Sequence, residues 1–208
     1  MLQQIVEWIE DKNIFCRKRK TNEERAMGIL LYHAGLSYEK TGLFLGVSYE
    51  AVRKWIIKGR ELFSHTVVKK ERTRIAVDEK IIKRGNEYLY LWAAVDLDEG
   101  QVIAVMITTG RSYLEALRFL KRVKRVCNGK LPRVFVDGGV WYPWALQRVG
   151  FTYSVVCFGP RSAVERFFSL VDRRIRRFWE KFPSNARVQS IEWWCEAFAG
   201  FTNFSRRC

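Results

Sequence analysis

The sequence predicts an α/β chain, a mixed sheet flanked by helices, preceded by an all-α segment. Three observations predict it. Residues 22–63 carry three short stretches with apolar residues at helical spacing, separated by Gly35 and Gly46 and reopened by Ser37 and Ser48. From residue 74 the apolar period changes from helical to alternating, the signature of a half-buried strand. Strand and helix patterns then follow in the order βββαβαβα with one further helix.

The first twenty residues hold one amphipathic segment, LQQIVEWIED, and the basic cluster RKRK from Arg17 to Lys20, which reads either as a solvated charge run or as an arm that touches DNA or a second subunit. A helix is expected over 23–34 with Met27, Leu30 and Leu31 inward, ended by Gly35 where a left-handed backbone is required. His33 sits in its apolar pattern as a packing residue. Ser37 caps a second helix through Leu45, and Ser48 a third, SYEAVRKWIIKGRELF. On the third, Val52, Trp55, Ile56 and Phe63 share one face, which turns Tyr49, Glu50, Arg53, Lys54 and Lys58 outward. This is a helix-turn-helix pattern with the third helix as the candidate major-groove reader, although any trihelical packing unit has the same spacing. Tyr49, Arg53, Lys54 and Lys58 are its candidate DNA contacts.

A basic connector, HTVVKKERTR, leads into RIAVDEKIIKR and EYLYLWAAVDLD, strands joined at Arg84-Gly85-Asn86, and then QVIAVMITTG. Ser112 caps the helix SYLEALRFLKRVKRVC. RVFVD is a short buried strand, WYPWALQRVG a helix ended by Gly150, and TYSVVCF a further strand. A helix over 163–180 and a last aromatic one, ARVQSIEWWCEAFAGF, finish the chain. In the last, Trp193, Trp194 and Phe198 cover the core or form a subunit interface. The predicted divisions are 1–66 for the helix-turn-helix domain, 67–73 for the connector and 74–208 for the α/β domain.

With 48% apolar residues the 208-residue chain has a real core, and 37 basic against 22 acidic residues give it a net charge of +15. Nucleic acid is therefore the first partner to expect. No apolar run approaches the roughly 18 residues of a membrane span, so a cytoplasmic protein without a membrane partner is expected. The five cysteines are scattered without a CxxC pair, against structural zinc or a disulfide framework.

Against this basic background three carboxylates stand out. Asp78 ends the apolar run of RIAVDEK, Asp137 ends that of RVFVDGG, and Glu165 opens VERFFSLVDRRIRRFW. In the predicted order the first strand is central, and RVFVD, reached by a helical crossover, lies beside it in parallel. Asp78 and Asp137 are then neighbours at one edge of the sheet. Two strand acids plus one from a helix suit an RNase H-like sheet holding two divalent ions, which clamp the attacking and leaving oxygens of an in-line phosphoryl transfer at a separation of roughly 3.5–4 Å. Carboxylates are the ligands that magnesium and manganese prefer. On the last-mentioned helix Val164, Phe167, Phe168, Val171, Ile175 and Phe178 share the packing face, with Glu165 at its border. Arg166, Arg173 and Arg177 form a second stripe, facing a DNA backbone or simply solvent. By helix geometry alone Glu165 reads equally as one exposed acid.

These segments resemble the DDE transposases of prokaryotic insertion sequences, most of all the archaeal-type members of the insertion-sequence-six family. The resemblance is carried by VDE at Val77 to Glu79, YLYLWAAVDLDEG, VFVDGGVWYPWAL around Asp137, VERFFSLVDRRIRRF around Glu165 and, upstream, YEKTGLFLGVSYEAVRKW. It implies an RNase H-like core, Asp78, Asp137 and Glu165 as catalytic residues and metal ligands, and two Mg2+ (or Mn2+) ions. It also implies cleavage and strand transfer on double-stranded DNA, at the element's terminal inverted repeats and at a target, by a homodimer or higher oligomer. Asp96 matches a recurrent family position but lies on the second strand and reads as structural. Two departures leave room for a catalytically decayed copy: the Asp137 to Glu165 interval is short for the family, and Arg161 or Ser162 replaces its usual Asn. A helix-turn-helix regulator and a nuclease or resolvase that cuts without joining are the other readings. Trp141 and Tyr142, just after Asp137, either pack their helix or stack on an unpaired base.

Overall fold

The computed structural model describes residues 1–16, 19–63, 67–157, 159–176 and 180–206. Arg17, Lys18, His65, Arg177, Phe178 and Cys208 lie outside the described residues. The chain forms two compact units, residues 1–65 with 204–208 and residues 66–203.

The first unit contains α1 (Leu2–Asp11), α2 (Asn22–Ala34), α3 (Tyr38–Leu45) and α4 (Tyr49–Lys58). Side chains close the helix starts. Thr21 and Glu24 exchange hydrogen bonds in a capping box, and the Ser37 and Ser48 hydroxyls accept from Lys40 N and Ala51 N. Gly46 ends α3 in the left-handed region (φ 62°), where only glycine is unstrained. The inward face of α2 is Ala26, Ile29, Tyr32 and His33, whereas Met27, Leu30 and Leu31, expected inside, are half-buried. The reason lies at Gly28: a Cβ there would stand 2.9 Å from the Trp55 ring, so the indole of α4 packs on the glycine and turns the longer residues to the flanks. The α4 burial pattern follows the sequence, with Val52, Trp55 and Ile56 inside. The helix stops at Lys58, short of the expected Phe63, and a 3-10 turn (Gly59–Glu61) brings Leu62 and Phe63 into the core. His33 packs edge-on against Phe63, a packing role as expected.

The second unit is built on β2 (Arg74–Arg84), β3 (Glu87–Asp96), β4 (Val102–Thr108), β6 (Arg133–Val136) and β7 (Thr152–Val155), in the order β4-β3-β2-β6-β7. The first three strands form an antiparallel meander, while β6 is parallel to β2 and β7 to β6. A short parallel pair, β1 (Lys70–Glu71) with β5 (Cys127–Asn128), was not expected, because two-residue strands have no period to read. Helices α5 (Tyr113–Arg125) and α6 (Tyr142–Val149) cover one sheet face, where Ile75, Val77, Trp92, Phe119 and Tyr142 pack. Helices α7 (Ser162–Arg176) and α8 (Val188–Ser205) cover the other, with Ala76, Leu91, Phe167, Val171 and Phe198. This is the RNase H-like mixed sheet flanked by helices. Trp194 stacks on Phe198 at 5.3 Å and meets Phe182 edge-on, placing this pair of the α8 aromatics in the core. Among the described residues no helix is long and apolar enough to cross a membrane.

Strand β4 lies at the sheet edge, where unpaired backbone groups invite aggregation. Here side chains occupy them. Asn203 donates to Val102 O and accepts from Val102 N, both at 2.8 Å, Glu192 accepts from Ile107 N at 2.9 Å, and Arg122 donates to Val105 O at 2.6 Å. Replacing Asn203 with Leu leaves two buried backbone groups unpaired and is expected to lower unfolding free energy by about 2–4 kcal/mol. Urea unfolding followed by tryptophan fluorescence checks this, and an unshifted midpoint contradicts it.

Candidate active site

The β2–β6 register sets the site. Ala76 is level with Phe135, and two residues further along Asp78 is level with Asp137, just past the point where β6 ends at Val136. The expectation placed Asp78 at a strand end. Instead β2 runs on to Arg84, and it is the neighbouring strand that stops, leaving Asp78 open on that side. Asp137 follows β6 in a loop, where its Oδ1 accepts from Gly139 N at 2.9 Å. A Cβ on Gly139 would come within 2.7 Å of the Trp141 ring, so this tight turn needs glycine.

Successive residues on β2 face opposite sides of the sheet. Asp78 faces α7, where its Oδ2 accepts from Arg161 Nη2 at 2.8 Å. Lys80, on the same side, pairs with Asp172 of α7 at 2.9 Å. Glu79 faces α6, and its carboxylate accepts from the Tyr142 hydroxyl at 2.5 Å and from Arg111 at 3.3 Å. The Arg111 guanidinium in turn lies 4.3 Å from the Trp141 ring centroid. Carboxylate oxygens of Asp78, Glu79 and Asp137 all lie within 4.8 Å of one another.

Burial pushes the Asp78 carboxyl above the usual carboxylate range, against the pull of the Arg161 hydrogen bond and charge. Burial also raises Glu79, with the Asp137 and Asp78 charges adding to it and the Tyr142 hydrogen bond opposing. The Tyr142 hydroxyl, fully buried beside Glu79, is pushed well above its ordinary value and stays a donor. Asp78 and Glu79, both raised by burial, converge with Asp137 on one small volume. Their hard oxygens suit a divalent cation, so the residues present fit magnesium or manganese.

Glu165 lies in the first turn of α7, and its side chain is 56% exposed. Its Oε1 is 3.9 Å from Arg161 Nη2, the nitrogen bound to Asp78, so Arg161 stands between Glu165 and the three clustered acids. The structure thus groups Asp78 and Asp137 with Glu79, a residue of the VDE motif that the sequence pattern does not single out. Period-2 alternation hid Glu79, since it assigns neighbours to opposite faces. In the sequence Arg161 stands out only as a departure from the family pattern. Asp96 is structural as read: it is paired with Arg72 in the interior, and its Oδ1 accepts from Asp98 N at 3.0 Å. Tyr142 is fully buried and Trp141 lies under Arg111, which fits helix packing for both rings.

Of the candidate DNA contacts, Tyr49, Arg53, Lys54 and Lys58 are exposed on α4. Glu50 holds Arg53 through two hydrogen bonds of 2.8 Å and lies 4.0 Å from Lys54. Arg166 and Arg173 are exposed on α7. Tyr142→Phe removes the buried donor to Glu79 and is expected to destabilise the protein by about 1–3 kcal/mol, read by urea unfolding. Unchanged stability would mean that the hydroxyl does not hold this carboxylate.

A family model for a DDE domain, DDE_Tnp_IS240, matches residues 72–156, which include Asp78 and Asp137 and end before Glu165. The uncharacterized protein MJ0017 of Methanocaldococcus jannaschii is 38% identical over 207 residues, covering 98% of this chain and 96% of that protein. The uncharacterized protein aq_aa24 of Aquifex aeolicus is 36% identical over 80 residues, 38% of this chain and 66% of that protein. Among solved structures, a chain of the simian T-cell lymphotropic virus intasome in complex with PP2A regulatory subunit B56 gamma aligns with a TM-score of 0.50 at 12% identity. That alignment covers 84% of this chain and 67% of that one, and the likeness is one of fold.

Proposed function

The chain belongs to the DDE transposases of the insertion-sequence-six type, polynucleotidyl transferases, and from that membership we propose that it binds the ends of its own insertion sequence, cuts there and joins the freed strand to a target. Asp78, Asp137 and Glu165 are the catalytic carboxylates of this reading. The observation that carries it is the meeting of Asp78, on β2, and Asp137, just past the end of the parallel strand β6, with a third carboxylate, Glu79, inside 4.8 Å.

Two Mg2+ or Mn2+ ions held by Asp78, Asp137 and Glu165 would supply the charge that activates the attacking oxygen and stabilises the leaving one. The chain's own residues do the rest. The Gly139 amide fixes the Asp137 carboxylate, and Tyr142 with Arg111 holds Glu79 from the opposite face. Arg166 and Arg173 of α7 neutralise DNA phosphates, a role proposed for Arg177 from the sequence alone. Residues 1–66 serve as the DNA-reading domain, 67–73 as connector and 74–208 as catalytic domain. Tyr49, Arg53, Lys54 and Lys58 of α4 meet the terminal repeat, with Arg53 pre-oriented by Glu50. Transposition brings two ends together, so the working form is a dimer or larger.

The test is incubation of the protein with a labelled duplex carrying the element's own end, with Mg2+ or Mn2+. Nicks at the element boundary and strands joined to a second duplex are the expected products. Tight binding without any product in either metal overturns the reading in favour of a regulator or a decayed copy. Nicks without joined strands point to a nuclease or resolvase.

A further inference from the structure

The guanidinium of Arg161 occupies the ground between the two halves of the proposed ligand set. Its Nη2 bonds Asp78 at 2.8 Å and lies 3.9 Å from Glu165, while its Nε is buried without a hydrogen-bond partner among the described residues. Arg161 immediately precedes α7, and its carbonyl accepts from Glu165 N at 3.1 Å, so the arginine and Glu165 belong to the same turn. The Arg161 side chain is only 18% exposed, and that of Asp78 7%. A charge paired in this setting is hard to remove unless another cation takes its place.

We infer that Arg161 is an exchangeable counter-ion, holding Asp78 and Glu165 together in the ion-free protein and yielding its place to a divalent cation when the site is loaded. The inference rests on the proposal that Asp78, Asp137 and Glu165 bind metal. Its logic is competition. An entering ion gains the Asp78 carboxylate only by breaking a short, shielded ion pair, so part of its binding free energy goes into moving the arginine. A ready cation also explains how so many acids coexist at this edge of the sheet. Glu79 and Asp137, which lie within reach of the same centre, need no such displacement. Loading therefore proceeds in two stages, first on the open side formed by Glu79 and Asp137, then on Asp78 and Glu165, which Arg161 guards. The buried Nε suits this account, because a guanidinium bonded through one nitrogen has unused donors for a DNA phosphate once it turns away.

The test is titration calorimetry of the full chain with Mn2+ in the absence of DNA, comparing the native protein with Arg161→Met and Arg161→Lys. The methionine keeps the bulk of the stem and removes the competing charge, while the lysine keeps a cation. Arg161→Met is expected to bind Mn2+ about tenfold more tightly or with one more ion per chain, and Arg161→Lys to stay near the native isotherm. The thermal unfolding midpoint without metal falls in Arg161→Met and is restored by Mn2+ to or above the native value, which also verifies that the variant folds. Identical Mn2+ isotherms for native and Arg161→Met overturn the counter-ion role and leave the metal site standing. Absence of Mn2+ binding in all three, with normal unfolding, overturns the metal site itself and the inference with it.

Discussion

Asp137→Asn is expected to abolish DNA cleavage and joining while leaving end binding intact. The carboxylate it removes, just past the end of β6 and beside Asp78 of β2, is one that the proposed chemistry needs, and an amide offers a divalent ion no charge. If metal charge stabilisation is worth several kcal/mol in the transition state, the loss is about 10³-fold or more in rate. Binding to the terminal repeat, measured by gel shift or anisotropy, stays within about twofold, because the proposed reader is α4. Folding holds as well. Asparagine keeps the Oδ1 acceptor for the Gly139 amide and takes one negative charge from a site already crowded with three. Cleavage at the native rate by Asp137→Asn would remove the residue from the reaction.

The largest stability effect is expected at Asp96→Ala. Arg72 and Asp96 form an ion pair whose side chains are 0% and 3% exposed. Arg72 also donates to the Val68 carbonyl at 2.9 Å and the Val126 carbonyl at 3.3 Å, tying the connector and the end of α5 to the sheet. The alanine leaves the guanidinium buried without a counter-charge and takes the acceptor from the β3–β4 turn amides. The cost is about 3–5 kcal/mol, a large share of a domain's total of about 5–15 kcal/mol. Asp96→Asn keeps Oδ1 for the turn amides but sets its Nδ2, a donor, against Arg72, so it loses the ion pair and retains only the turn, and its loss is smaller. Urea unfolding of the two variants distinguishes the effects: equal midpoints would show that the turn acceptor contributes nothing, and an Asp96→Ala midpoint like the native one would show that Arg72 finds water.

Much of this architecture was legible because local signals agreed with one another. Ser37, Ser48 and Ser112 cap the helices their positions suggested. The alternation from Arg74 to Asp96 is a two-strand hairpin, and β6, reached by a helical crossover, lies parallel beside β2 as the βαβ rule predicts, which brings Asp137 to Asp78. What stayed hidden was tertiary. The α2 face depended on Gly28 meeting Trp55 across two helices, which no period within α2 encodes. Glu79 joins the acidic cluster because β6 stops at Val136 and lets the edge open, an event on another strand. The Arg161 side chain reaches Asp78 over a separation of 83 residues, and the sequence marked it only as a departure from a pattern. Site chemistry was thus readable as a set of residue types, and its partners were not.

Two acids compete for the third place in the catalytic set: Glu165, carried by the family pattern, and Glu79, already beside the two aspartates. The deciding measurement is cleavage and strand transfer of the labelled element end in Mn2+ by native protein, Glu165→Gln and Glu79→Gln side by side, with end binding as the control. The account predicts that Glu165→Gln binds the end but yields neither nicked nor joined strands, while Glu79→Gln keeps measurable activity. Native-level cutting and joining by Glu165→Gln, with Glu79→Gln inactive, would contradict the assignment and move the third carboxylate from α7 to β2.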